Sequence, residues 1–303
     1  MVIEKALRSI VALHAEIPED GFTAASLGAS RAGSGVVIRG DGLVLTIGYL
    51  ITEAETIWLT TASGRVVAAH VVAYDQETGF GLVQALEPLD LPALALGDSH
   101  KAQLGDPVVL AGGERGQFVR AEIVGKQEFA GYWEYLLDEA IFTAPAHPLW
   151  GGAGLIGADG RLLGIGSLLV QSMVDSERRA DVNMVVPIDL LPPILDDLLT
   201  LGRVNKPARP WLGLYVGESD DRVTVMGLSE KGPAAKAGVR RGDVVASVRD
   251  ASVDGLADFY RKVWDSGDAG AEIPIEVIRD DRAMWVRVKS ADRASYLKKP
   301  RLH

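Results

Sequence analysis

The chain has 303 residues, of which 48% are hydrophobic and 24% charged, with 34 glycines and no cysteine. That length suits about two globular domains with ample core, and the missing cysteines exclude disulfides, thiolate nucleophiles and cysteine metal sites. Net charge is −10, with 12 basic against 26 acidic residues over 1–202 and 19 against 15 over 203–303; the acidic first part argues against nucleic-acid binding, and no apolar run is long enough for a membrane span.

The start, Met1 to Ala15, lacks the basic opening, apolar stretch and small-residue cleavage site of a leader. The sequence as it stands therefore reads as cytoplasmic, unless a leader has been removed. Short β-rich runs then alternate with turn residues. Ser34–Ile38 and Leu43–Thr46 flank Asp41-Gly42, and Thr56–Thr60 and Arg65–Ala73 flank Ser63-Gly64. These are hairpin signals. Further runs are Asp106–Ala111, Phe118–Lys126, Ala140–Thr143, Gly154–Ile156 and Arg161–Val170. Regularly spaced short strands predict a mainly β barrel or sandwich.

The pattern changes at Pro187. Ile188, Leu190, Leu191, Ile194, Leu195, Leu198 and Leu199 recur at helical spacing. They predict a helix over Ile188–Leu201, capped by Asp189 and closed by Gly202. Val204–Pro210 carries two prolines and reads as linker. The expected division is a first domain over 1–202, a linker over 203–210, a small αβ domain over 211–293 and a tail over 294–303. In the αβ domain, strands are predicted at Leu212–Val216, Arg222–Met226, Asp243–Val248, Ile273–Arg279 and Ala283–Val288, with helices at Ala234–Ala237 and Leu256–Trp264.

Particular strings carry a family resemblance. Gly33-Ser34-Gly35-Val36-Val37-Ile38 and Asp41-Gly42-Leu43-Val44-Leu45-Thr46 resemble the "GSGVII…DGYILTNNHVV" opening of the HtrA/Deg serine proteases. Leu96-Gly97-Asp98-Ser99, Asp159 to Ile165 and Asn183 to Pro187 resemble later motifs. Gly232 to Val239, running into Arg241-Gly242-Asp243-Val244-Val245, is similar to "GSPAAKAGLKPGDVI" of that family's PDZ domain. The resemblance runs from about residue 5 to 292. It implies a trypsin-like double β-barrel followed by a PDZ domain.

Serine proteolysis needs a nucleophilic hydroxyl, an imidazole base, a carboxylate to orient it, and backbone donors for the oxyanion. Where the family has its His, Asp and Ser, this sequence has Tyr49, Gly79 and Gly151. The family glycine that helps form the oxyanion hole corresponds to Leu149, which resists the backbone angles a glycine permits. Trp150 reads either as a plug of the emptied cleft or as ordinary packing. Losing nucleophile or base alone costs roughly 10⁶ in turnover, so the resemblance implies a catalytically inactive relative. Thr143 lies on the strand leading into the old nucleophile loop and Ser34 in the Gly-Ser-Gly string, and neither has an evident base. Tyr49 is either a phenol donor or a core residue.

The histidines, His14, His70, His100, His147 and His303, form no metal-ligand spacing, and no cofactor is expected. His147, at the family's Asn position, reads either as a ligand of the vacated cleft or as a hydrogen-bonded loop histidine. The resemblance leaves a peptide or protein C-terminus as the partner. Its carboxylate would be held by the loop Trp211-Leu212-Gly213-Leu214, and its chain would lie as an added strand beside helix residues Leu256, Phe259 and Tyr260. The family also implies trimers, or mixed assembly with an active relative, although the N-terminal segment here is short. It implies a periplasmic location if a leader was removed.

Overall fold

In a computed structural model, residues 2–113, 117–173, 179–219 and 222–298 are described. His303 and the end of the tail lie outside the described residues. The fold is mainly β and contains two compact units. The first comprises residues 1–127, 138–205 and 298–303; the second comprises 128–137 and 206–297.

The first unit holds two closed six-stranded barrels. A short helix α1 (Val2–Leu7) leads into β1 (Ile10–Glu16). After α2 (Ala24–Leu27) come β2 (Ser30–Val37), β3 (Leu43–Ile47), β4 (Thr56–Thr60), β5 (Val66–Tyr74) and β6 (Phe80–Ala85), closed in the order β1-β2-β3-β6-β5-β4. The Asp41-Gly42 and Ser63-Gly64 turns join β2 to β3 and β4 to β5, as their sequence predicts. Leu13, Val36, Leu45, Leu59 and Leu82 are buried in this barrel, each stabilising the fold by about 1.5–3 kcal/mol. Strands β1 and β6 escaped the sequence reading. In β6 the first four residues are all buried, so no alternation marks it.

The second barrel takes β7 (Pro107–Ala111), β8 (Phe118–Gly131), β9 (Tyr135–Ala144), β10 (Gly154–Gly157), β11 (Leu162–Met173) and β12 (Arg179–Pro187), closed as β10-β11-β12-β9-β8-β7. Strands β8 and β9 run well beyond the predicted Phe118–Lys126 and Ala140–Thr143. Their turn-proximal ends, 128–137, pack with the second unit although they lie inside the span expected to form the first domain.

The helix at the end of this unit starts later than predicted. Ile188–Leu190 is a 3-10 turn, and α3 spans Pro192–Leu201. Proline lacks an N–H and has a helical φ, so the Pro192-Pro193 pair suits the first turn and sets the start there. Asp189 is consequently no cap. Its carboxylate instead accepts hydrogen bonds from Ser99 Oγ and, at 2.9 Å, from His100 N–H. Gly202 does close the helix, in the left-handed conformation.

The second unit is a sheet in the order β13-β14-β15-β17-β18, with β16 on β15. Its strands are β13 (Leu214–Ser219), β14 (Arg222–Leu228), β15 (Val244–Val248), β16 (Ala251–Ser252), β17 (Glu272–Arg279) and β18 (Arg282–Lys289). Helices α4 (Pro233–Ala237) and α5 (Leu256–Trp264) complete it. Leu256, Phe259, Tyr260 and Val263 form the buried stripe of α5 at i, i+3, i+4, i+7 spacing. They pack with Val216, Val225, Val245, Ile275 and Val277 into one core. Buried Asp243 receives a two-pronged ion pair from Arg279, at 2.7 and 2.6 Å, and the N–H of Arg240 at 2.8 Å.

Candidate functional site

A cleft of about 650 Å³ in the first unit is lined by residues that include His14, Ser34, Tyr49, Leu149, Trp150 and Gly151. The fold brings Tyr49, Gly79 and Gly151 to its neighbourhood from three separate elements. Tyr49 sits in the 3-10 turn Gly48–Leu50 that follows β3. The N–H of Gly48 donates to Gly79 O at 2.7 Å. A Cβ on Gly151 would lie 2.9 Å from the Tyr49 hydroxyl, so the phenol stands against the spot where any side chain at 151 would begin. Arg31 holds the turn from beneath, donating to Tyr49 O at 2.6 Å and Thr52 O at 3.1 Å.

The phenol is tied structurally. It donates to Ser167 O at 2.8 Å. Burial pushes its pKa up, with the neighbouring Trp150 indole acting weakly in the other direction. A neutral phenol with its proton committed to a backbone carbonyl is no base. Trp150 is half-buried beside Tyr49 in the cleft.

The loop before Gly151 is organised by His147. Its backbone N–H donates to Asn183 Oδ1 at 2.6 Å, and its Nδ1 accepts the Leu149 N–H at 2.9 Å. Burial lowers the pKa of this imidazole, with the nearby Gln117 backbone opposing, so the neutral ring is favoured. His147 is buried, and its Nδ1 is engaged by the Leu149 N–H, an arrangement that suits a hydrogen-bonded loop histidine. The same bond turns the Leu149 N–H onto the histidine ring.

The alternative nucleophiles fare no better. Thr143 is fully buried and, among the described residues, its hydroxyl has no hydrogen-bond partner. Ser34 is fully buried, with its Oγ accepting the Gly113 N–H at 2.6 Å. One constellation escaped the sequence reading. On the exposed side of β1 and β2, His14 Nε2 lies 2.6 Å from Glu16 Oε1 and 3.5 Å from Ser30 Oγ. Ser30 Oγ also donates to Glu16 at 3.0 Å. A relay needs the carboxylate on one ring nitrogen and the hydroxyl on the other. Here a single nitrogen meets both, and a nitrogen that donates to Glu16 has no lone pair for Ser30. The signal that could have found the trio is the His14-Ala15-Glu16 spacing, which places both side chains on one face of a strand.

In the second unit, Leu212, Gly213 and Leu214 aim their backbone N–H groups at one carboxylate, that of Glu134. Leu212 N lies 3.0 Å from Oε2, while Gly213 N and Leu214 N lie 2.7 and 2.9 Å from Oε1. Gly213 has φ +76°, the left-handed region that a side chain resists. Trp211, counted with this loop from sequence, does not join it: its N–H donates to Ala291 O at 3.0 Å, and its ring packs edge-on to Tyr296. Of the helix residues, Leu256 and Phe259 are core, while the Tyr260 hydroxyl reaches Gly131 O at 2.6 Å and Glu134 N at 3.1 Å.

Among the described residues there is no group of three His, Asp or Glu placed to hold a metal ion, and no helix is long and apolar enough to cross a membrane.

Comparison with known proteins identifies both units. The model of the trypsin-like peptidase domain matches residues 33–165, and that of the PDZ domain matches residues 210–289. The chain is 27% identical over 287 residues to a probable periplasmic serine protease do/HhoA-like of Haemophilus influenzae, covering 88% of this chain and 59% of the relative. It is 26% identical to serine endoprotease DegS of Escherichia coli K12, covering 84% and 75%. The HtrA-type protease AlgW, solved with a tripeptide, superposes at a TM-score of 0.57 with 21% identity, covering 99% and 97%. The chain spans little more than half the length of several curated relatives it matches. It is HtrA-like, with a trypsin-like peptidase domain followed by a PDZ domain.

Proposed function

We propose that this protein is a catalytically inactive HtrA-like protease homologue that grips peptides or protein C-termini through its PDZ domain, as a scaffold or regulator. The observation that carries the reading is the loop 212–214, whose three N–H groups converge on a single carboxylate. That is the donor set a peptide's terminal carboxylate requires. Inactivity is supported by the alignment of Tyr49, Gly79 and Gly151 with the family's triad, by the Tyr49 phenol beside Gly151, and by the Leu149 N–H engaged with His147. The related AlgW was solved with a tripeptide, which suits a peptide ligand here. One relative is named periplasmic, and a periplasmic setting belongs to the same proposal.

Two measurements test it. A fluorescein-labelled octapeptide pool, ending in Val with a free carboxylate, should raise anisotropy on adding the full chain more than its amidated twin does; equal binding of the two would remove the carboxylate-trap reading. Unfolded casein should survive incubation with the purified protein. Turnover that persists in Thr143→Ala and Ser34→Ala and follows the protein through purification would overturn inactivity.

The competing reading is a hydrolase with a relocated site, favoured only by the Ser30–His14–Glu16 trio. Labelling of Ser30 by a fluorophosphonate probe would establish it. The shared Nε2 argues that no labelling occurs.

A further inference from the structure

The carboxylate in the peptide loop belongs to the protein itself. Glu134 lies at the tip of the β8–β9 hairpin, and its side chain is held by the Leu212, Gly213 and Leu214 N–H groups. The tip does more than insert a side chain. Tyr132 O accepts the Val216 N–H of β13 at 2.9 Å, the type of backbone contact an added strand makes on that edge. From the opposite wall, the α5 hydroxyl of Tyr260 donates to Gly131 O and accepts from Glu134 N–H. The ring of Tyr132 packs on Tyr215, Trp133 stacks on Tyr135, and Leu136 joins the buried core of the second unit. At the rim of the tip, Glu128 pairs with Arg261 of α5 at 2.5 Å. Strand edge, helix wall and carboxylate loop are therefore all engaged by residues 128–137.

We propose that the hairpin tip 128–137 is a tethered competitor for the PDZ groove, with the Glu134 side-chain carboxylate standing in for a ligand's C-terminal carboxylate, so that an external chain end binds only by displacing it. The proposal rests on the reading of loop 212–214 as the peptide site. A tethered occupant acts at the high effective concentration of an intramolecular partner. The apparent Kd of an external ligand is raised by the reciprocal of the fraction of groove that is open. A docked tip leaving only a few per cent open weakens binding by at least about tenfold. The ligand that competes best must present a carboxylate to the Leu212–Leu214 donors together with a backbone carbonyl to the Val216 N–H.

The test uses the full chain, the free-carboxylate octapeptide pool ending in Val, its amidated twin, and hydrogen exchange at the Leu212, Gly213 and Leu214 amides. Glu134→Ala should bind the free-carboxylate pool at least about tenfold more tightly than the parent, and exchange at the three amides should speed up without peptide and slow again with it. Glu134→Gln, which keeps the shape and most packing, should move both readouts in the same direction and covers the case of a poorly folding alanine variant. Equal, carboxylate-dependent binding by parent and both variants would overturn the tethered competitor while leaving the peptide site intact. Unchanged amide exchange in the variants would overturn docking. Failure of all proteins to prefer the free carboxylate would remove the peptide site and the competition together.

Discussion

Placing a serine at position 151 tests how the cleft is built. A Cβ there would sit 2.9 Å from the Tyr49 Oη and 3.8 Å from its Cζ. The first distance is too short for an unrelaxed contact, and the second is ordinary van der Waals separation. The phenol cannot simply rotate away, because it donates to Ser167 O at 2.8 Å and is buried. Gly151→Ser should therefore destabilise the protein by about 1–3 kcal/mol, the usual range for overpacking. Tyr49→Phe deletes only the hydroxyl. It strands the Ser167 carbonyl and should cost about 1–3 kcal/mol by itself. The double variant should fall short of the sum by about 1 kcal/mol or more, because removing Oη relieves the clash that the serine creates. Urea unfolding of the four proteins, compared at equal m-values, reads the coupling. Costs that add within about 0.5 kcal/mol would refute the claim that the phenol occupies the space beside residue 151. None of the four should label with a fluorophosphonate.

Restoring the whole triad as Tyr49→His/Gly79→Asp/Gly151→Ser should leave casein cleavage at least about 10²–10³ below that of an intact site, because the Leu149 N–H still donates to His147; turnover at the level of active relatives would contradict that role for the loop. Gly79→Asp alone forces a side chain onto φ +82° and should cost about 1–2 kcal/mol in urea unfolding. Asp243→Asn should lower stability by about 1–3 kcal/mol by weakening the charged hydrogen bonds from Arg279. Burial works to raise the Asp243 carboxyl, but Arg279 and the Arg240 N–H hold it below its ordinary value, so its contribution is present near neutrality and lost in acid as the carboxylate takes up its proton.

The parts of this protein that were legible in its sequence are those governed by nearest neighbours along the chain. Asp41-Gly42 and Ser63-Gly64 turn a strand back on itself wherever they stand, and the apolar stripe of Leu256 to Val263 makes a helix that must bury one face. The positions Tyr49, Gly79 and Gly151 could be picked out because strings resembling the family's flank them on both sides. The start of α3 was misread by a few residues because hydrophobic spacing continued through Ile188–Leu191 while the two prolines set the true first turn. Other features have no local signature. Leu149 N–H turned onto the His147 ring depends on Asn183, thirty-six residues away, fixing the histidine backbone. Glu134 is a charged residue at a hairpin tip, which by itself reads as solvated surface; only the fold sets it against N–H groups nearly eighty residues further along. Sequence decided the marked turns, the amphipathic helix and those strands whose apolar alternation shows, since those choices are made over a few residues by backbone preference and apolar period. Tertiary structure alone decided which donors meet which acceptors, because a buried carboxylate or ring nitrogen takes whatever partner the closed fold brings within hydrogen-bond reach.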